Sequence, residues 1–139
     1  MKILGIGVDI VEKARIKKSL KKKLFIKRIF TLNEISNAKK NKDKLSYYSN
    51  RYAAKEALSK SLGTGFRENL NFKDISIVND KLGKPSFVIS NKIKKIVKKR
   101  FKVLSFNFFL SISDEKKYSL AYVVLQKKWK LTKIFLLKI

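Results

Sequence analysis

Two of the ten acidic side chains stand where a carboxylate is costly, and both could do chemistry. Asp9 breaks the apolar run from Ile3 to Val11 between Val8 and Ile10, where an unpaired carboxylate loses its hydration without return. Glu56 lies in the small-residue stretch Ala53-Ala54-Lys55-Glu56-Ala57-Leu58, between the lysines at 55 and 60. If the two carboxylates converge they bind a divalent cation, and Lys55 and Lys60 are expected to hold the phosphates that such a cation also touches. The competing reading pairs Asp9 with one of the many lysines, and Asp9 taken alone favours it. Glu12, Glu34, Asp43, Glu68, Asp74 and Asp80 sit at expected helix starts or turns and read as caps or solvated charges. Asp114 and Glu115 fall in an expected hairpin.

Glycine supplies a second cue. The five glycines and the single proline fall in three places: Gly5 and Gly7, Gly63 and Gly65, and Gly83 with Pro85. Such spots mark backbone that turns sharply or lets a ligand come close, and ordinary turn and bulge chemistry is the competing reading, favoured for any one pair. None is a phosphate loop by pattern. Gly5-Ile6-Gly7 is followed by Ile10 where a dinucleotide fingerprint needs glycine, and Gly63-Thr64-Gly65 lacks the Gly-Lys-Ser/Thr of a Walker loop.

Absences narrow the chemistry further. The chain has no Cys and no His, which excludes disulfides, thiolate or imidazole metal sites, cysteine nucleophiles and His-based triads. Any metal must sit on oxygen ligands, as a hard cation such as magnesium does. Thirty-five Lys and Arg against ten Asp and Glu leave a formal charge of +25, which favours phosphorylated cofactors, acidic proteins or nucleic acid. A small basic nucleic-acid-binding protein is therefore the alternative class, although no RNP-type aromatic pattern, helix-turn-helix or zinc module is present. With 45% hydrophobic residues the chain should fold despite its charge, as one domain that would gain buried area by oligomerising. No apolar run approaches the roughly 20 residues that cross a membrane, and a cytoplasmic location is expected.

The elements that must position these residues follow from periodicity. Residues 3–11 read as a buried strand carrying Asp9 near its end. Residues 12–24 read as one helix, with Ile16, Leu20 and Leu24 on one face and lysines around the rest. Thr31 and Glu34 form a capping box that opens a helix ending near Lys40. Residues 43–62 read as the longest helix, with Ala54, Ala57, Leu58, Ser61 and Leu62 inward and Glu56, Ser59 and Lys60 on the other side. Strands at 75–78 and 87–89, a basic helix at 91–100, and strands at 106–113 and 118–125 complete an α+β order. The tail from Gln126 fits strand or helix equally.

At this point the residues resemble a family. Gly5-Ile6-Gly7-Val8-Asp9-Ile10-Val11-Glu12 resembles the first motif of the holo-[acyl-carrier-protein] synthases, the short 4'-phosphopantetheinyl transferases. Phe25 to Thr31 with Glu34 resembles the second. Arg51-Tyr52-Ala53-Ala54-Lys55-Glu56-Ala57-Leu58-Ser59-Lys60, running on to Gly63-Thr64-Gly65, resembles the third and most specific. Asn79-Asp80 with Gly83-Lys84-Pro85, and Ser111-Ile112-Ser113 before Tyr118-Ser119-Leu120-Ala121, complete the set. The likeness covers residues 3 to about 125.

The resemblance implies the phosphopantetheinyl transferase fold, ordered β-α-α-α-β-β-α-β-β, with a mainly antiparallel sheet packed on a long helix. It implies a transferase domain over 1–126, a basic extension over 127–139, and a homotrimer with sites between neighbours. The activity implied is transfer of the phosphopantetheine arm of coenzyme A to a serine of acyl carrier protein, for fatty acid biosynthesis. Asp9 and Glu56 carry over as Mg2+ ligands. Arg51, Lys60, Gly63, Thr64 and Gly65 carry over as phosphate contacts, and Gly83, Lys84 and Pro85 as nucleotide-pocket residues. Arg15, Lys18, Lys22 and Arg28 would dock the acidic carrier. The serine hydroxyl would attack the β-phosphate, with Lys60 stabilising the leaving side, and its proton would go to Glu56 or to a metal-bound water. One departure stands out: Asp114 occupies the place of the family's usual His. A lysine, Lys116 or Lys117 of the same hairpin being nearest in sequence, is expected to neutralise it.

Overall fold

The computed structural model describes residues 2–129. Strand β1 (Lys2–Glu12) leads directly into α1 (Lys13–Leu20), and α2 (Lys23–Ile29), α3 (Leu32–Lys39) and α4 (Lys44–Ser61) follow. A short 3-10 turn, Phe72–Asp74, precedes β2 (Ile75–Asn79) and β3 (Pro85–Ile89). Helix α5 (Asn91–Phe101) then leads to β4 (Phe106–Asp114) and β5 (Tyr118–Lys127). The strands form two antiparallel sheets, β1-β5-β4 and β2-β3. The α+β expectation holds.

The expected helix over 12–24 is two helices. Lys22 is extended, with φ −94° and ψ 110°, and breaks it. The apolar stripe explains the break: Ile16 is buried and Leu20 half-buried, but Leu24 is 64% exposed. Ending α1 at Leu20 lets α2 swing Phe25, Ile26 and Ile29 onto the core instead. Local cap chemistry sets the other boundaries. Thr31 and Glu34 complete the reciprocal capping box of α3, and Asp43 caps α4 by accepting from Ser46 N at 3.0 Å. Ser90 caps α5, and Lys102 ends it in the left-handed region.

The core lies between α4 and the three-stranded sheet. Ala53, Ala54, Ala57, Leu58 and Leu62 of the α4 segment are fully buried, as are Ala121, Val123 and Leu125 of β5. Ser59, expected on the outer side of α4, is buried too, and its hydroxyl donates to Glu56 O at 2.7 Å. Strand β5 runs two residues past the expected Leu125, taking Gln126 and Lys127 into the sheet. The rest of the proposed extension, from residue 130 on, lies outside the described residues.

The opposite face of this sheet carries no cover among the described residues. Ile6, Val8 and Ile10 are half or more exposed, and Phe109, Tyr118 and Tyr122 are 41–52% exposed. The register lines them into rows: Ile6, Val124 and Phe109 lie side by side, then Val8, Tyr122 and Ser111. An exposed apolar patch of this kind marks an interaction surface more often than ordinary surface.

Candidate functional site

Small residues bring the chemistry together. A Cβ on Gly7 would lie 1.9 Å from Ala57 O, and one on Gly5 would lie 1.9 Å from Ser61 O. These glycines therefore serve the close seating of α4 on β1 rather than the approach of a ligand. Alternation along the strand puts Asp9 on the same face as Gly5 and Gly7, so it meets the α4 residues of the next turn. Lys60 Nζ donates to Asp9 Oδ1 and to Val8 O, each at 3.0 Å. Asp9 is thus paired with a lysine, as the competing reading has it, and it lines one cleft with Glu56.

Glu56 is half-buried and held above the ordinary carboxylate range, first by desolvation and then by the charge of Asp9. The neighbouring Tyr52 hydroxyl and the charge of Lys60 pull the other way. The cleft around them has a volume of about 250 Å3, and Arg15, Ser19, Phe25 and Tyr52 also line it. Two carboxylates lining one cleft, with only oxygen donors at hand, suit a hard divalent cation. No cluster of three acidic, His or Cys ligands exists among the described residues. Such a cation would complete its shell from water and phosphate oxygens, as magnesium does.

Arg51 opens elsewhere, into a polar groove of about 710 Å3 lined also by Lys40, Asn50, Asn79 and Asp114. It is 8% exposed, sits 3.7 Å over the Tyr47 ring and donates to Asn79 Oδ1 at 2.6 Å. Burial lowers its pKa from the usual guanidinium value. Its Nε and the Oδ1 of Asn50 find no partner among the described residues, so two buried polar atoms remain to be satisfied from the groove. Asn79 also donates to Gly83 O at 2.8 Å, tying Arg51 to the β2–β3 turn. That turn rests on Asp80 Oδ1, which accepts from Leu82 N and Lys84 N, and on Gly83 at φ +86°. Lys84 is exposed and Pro85 half-buried beside it.

The Gly63-Thr64-Gly65 turn follows α4. Both glycines have positive φ, and the Arg100 guanidinium backs the turn by donating to Leu62 O. Thr64 Oγ1 is buried without a partner among the described residues. The four basic residues expected at a partner surface are all exposed, on α1, the α1–α2 junction and α2. Arg15 also lines the Asp9 cleft, whereas Arg28 lines a separate groove with Phe66 and Phe72.

Three expectations change. Lys55 cannot hold phosphates. It is fully buried, donating to Glu34 Oε2 and Ile29 O at 2.7 Å and to Phe72 O at 3.2 Å. Glu34 is not a solvated charge but that lysine's fully buried partner, besides capping α3. Asp114 is neutralised by a lysine, but by Lys13 rather than by Lys116 or Lys117. Lys13, only 7% exposed, also donates to Ser46 Oγ at 2.7 Å, and Asn50 donates to Asp114 at 3.2 Å. Tyr52, one helical turn before Glu56, lines the same cleft and was not singled out in the sequence.

A family model described as the 4'-phosphopantetheinyl transferase superfamily matches residues 5–123. The holo-[acyl-carrier-protein] synthase of Pelagibacter ubique is 75% identical over 128 residues, spanning 92% of this chain and all of that protein. The crystal structure of the Neisseria meningitidis holo-[acyl-carrier-protein] synthase superposes with a TM-score of 0.81 at 38% identity, covering 91% of this chain and 100% of the other. That of the Bacillus anthracis synthase, in complex with CoA (3',5'-ADP), superposes at 0.76 and 38% identity, covering 91% and 98%. These relatives are synthases, and nothing in them supports the nucleic-acid alternative.

Proposed function

Since this chain belongs to the 4'-phosphopantetheinyl transferase superfamily, we propose that the two clefts together bind coenzyme A and pass its phosphopantetheine arm to a carrier serine. The enzyme is a transferase of the holo-[acyl-carrier-protein] synthase kind, with coenzyme A as donor and acyl carrier protein as acceptor. The observation that carries the assignment of residues is the convergence of Asp9, Glu56 and Lys60 beneath α4.

Asp9 and Glu56 would hold magnesium, which when bound supplies charge neutralisation for the pyrophosphate. Lys60 reaches the same point on a half-exposed stem and would stabilise charge on the departing 3',5'-bisphosphate. The serine proton would go to Glu56, which lines the cleft beside Asp9 and Lys60, or to a water in the cleft. Arg51, with an unsatisfied Nε and a polar groove before it, would take a phosphate of the nucleotide end. Gly83, Lys84 and Pro85 border that groove through Asn79, and the Gly63–Gly65 turn would receive phosphate next to Lys60.

The two halves of this machinery line different clefts of one chain. A single coenzyme A spanning both is accommodated if the Arg51 groove of one copy abuts the Asp9 cleft of the next. The face of Ile6, Val8 and Ile10, exposed among the described residues, would give such copies a surface to share, and the working unit would be the trimer with interfacial sites that the resemblance implies. The basic surface of Arg15, Lys18, Lys22 and Arg28 then meets an acidic carrier, and the reaction belongs in the cytoplasm. No helix among the described residues is long and apolar enough to cross a membrane.

The direct test incubates apo acyl carrier protein with coenzyme A, magnesium and this protein, followed by intact-protein mass spectrometry. One phosphopantetheine added at the carrier serine is expected, and an unmodified carrier refutes the assignment. Light scattering of active protein should give three times the mass of the 16.2 kDa chain. A monomer mass would refute the shared site.

A further inference from the structure

One end of the three-stranded sheet carries a patch that phosphopantetheine transfer leaves unused. Phe106 stands opposite Lys127 in the last pair of the β4–β5 ladder, and just beyond it Lys128 N donates to Ser105 O at 2.9 Å. Continuing that register sets Leu104 opposite Trp129. Both are solvated among the described residues, Leu104 at 73% and Trp129 at 66% exposure, while Val103 beside Leu104 is buried and anchors the loop. Single exposed apolar side chains are ordinary, but a leucine and a tryptophan side by side form a patch.

Cations ring the pair. Lys102 and Lys128 are exposed next to it, and Lys2 pairs with Lys127 across β1 and β5. Lys127 Nζ lies 5.2 Å from the centre of the Trp129 ring. Helix α5, which leads into the patch, ends in Lys98, Lys99 and Arg100. The sequence has no acid between Asp80 and Asp114 and none after Glu115. The carboxylates of Glu68 and Asp74 meet α5 upstream of the patch, Glu68 in a groove with Lys95, Lys99 and Arg100 and Asp74 at Lys92. We propose that this end of the sheet docks on an anionic phospholipid surface, with Leu104 and Trp129 entering the headgroup region and the surrounding lysines meeting lipid phosphates.

A lipid surface fits better than a nucleic acid does. Cations serve both, but an aliphatic side chain such as Leu104 offers a nucleic acid neither charge nor a stacking face. An indole and an aliphatic side chain within a ring of lysines suit the boundary between headgroups and acyl chains. The sequence past Trp129 keeps this character: of residues 130–139 six are apolar, three are lysine and none is acidic. The patch also stands clear of the chemistry. Asp9 lies seven residues along β1 from Lys2, on the order of 20 Å at the rise of a strand, so a docked enzyme keeps its cleft open.

Trp129 is the single tryptophan of the chain, so its emission reports on the patch alone. The full-length protein is mixed with vesicles of phosphatidylcholine and phosphatidylglycerol, and separately with phosphatidylcholine vesicles. Cosedimentation with the mixed vesicles only, with a blue shift of the Trp129 emission, is expected. Leu104→Ser/Trp129→Ser should bind them about tenfold more weakly. Lys102→Asn/Lys128→Gln should lose at least about tenfold, asparagine being tolerated at the left-handed backbone of position 102. Unfolding midpoints and transfer to a soluble carrier should match the parent in both variants. Equal binding to neutral vesicles, an unshifted emission in the bound protein, or unchanged binding by Leu104→Ser/Trp129→Ser overturns the proposal. Polyuridylate binding that this variant loses, while vesicles stay unbound by the parent, would make the patch a nucleic-acid surface. A smaller mass of the variant by light scattering would make it a contact between copies. Either result overturns the proposal too.

Discussion

Replacing Lys55 by Met removes the positive half of an ion pair from which water is excluded. Both side chains are fully buried. Glu34 Oε2 accepts from Lys55 Nζ at 2.7 Å and Thr31 N at 2.9 Å, and Oε1 accepts from Ile77 N at 2.9 Å. Lys55 adds the carbonyls of Ile29 and Phe72, so one pair ties together α2, α3, α4, the 3-10 turn and β2. Burial pulls the lysine pKa down and Glu34 holds it up. Losing one partner strands a buried charge and should cost about 3–5 kcal/mol. That is a fifth or more of the roughly 5–15 kcal/mol of total stability of a typical domain. Glu34→Gln should be costly as well, because its one amide oxygen cannot replace two acceptors, its NH2 must face a backbone N–H, and the buried ammonium of Lys55 loses its anion. The double variant Glu34→Gln/Lys55→Met should be more stable than the sum of the two singles implies, by about 1–3 kcal/mol. Urea unfolding of all four proteins closes the cycle. A loss below about 1 kcal/mol in Lys55→Met, or additivity within about 0.5 kcal/mol, would refute the argument. It would also reopen Lys55 as a group free to meet substrate.

Asp9→Asn and Glu56→Gln should each reduce transfer at least a hundredfold, at least 2.7 kcal/mol of barrier, with unfolding midpoints near that of the parent. Excess EDTA should mimic them, and near-normal rates under chelation would sink the metal assignment. Reversing Arg15, Lys18 and Lys22 to Glu should raise KM for the carrier far more than KM for coenzyme A. The parent rate should fall with salt as charges are screened beyond about 8–10 Å, and equal changes in both KM values would move the carrier elsewhere. Asp114→Ala should change kcat/KM less than tenfold yet lose about 1.5–3 kcal/mol of stability, since it strands the buried ammonium of Lys13 with Ser46 alone. Adding Lys13→Met should restore much of that loss. A hundredfold drop in activity at unchanged stability would instead give Asp114 a direct part in the reaction.

What was legible in the chain was what neighbours along it decide. The capping box at Thr31 and Glu34, the Asp43 cap, the alternation of β5 and the Asp80–Gly83 turn all rest on contacts within a few residues, and each lies where periodicity put it. The break at Lys22 was not legible, because Ile16, Leu20 and Leu24 keep a helical period. Only the pull of Phe25, Ile26 and Ile29 toward the core bends the chain there. Lys55 and Glu34 misled for a related reason: in a chain with 35 basic residues, one more lysine reads as solvated. Yet the spacing held the clue. Lys55, Leu58, Ser59 and Leu62 stand at i, i+3, i+4 and i+7, and all four are buried. A lysine on the inward stripe of a helix must bring a buried anion with it, and Glu34, already tied down by its cap, is the one it finds. Gly5 and Gly7 teach the same lesson from the other side. They read as room for a ligand, but the room is filled by α4 itself. That close seating sets the distance between Asp9 on the strand and the Glu56–Lys60 turn on the helix. The glycines therefore act on the chemistry through the packing, and a Gly7→Ala substitution should damage the site by lifting α4 off β1 rather than by blocking a substrate.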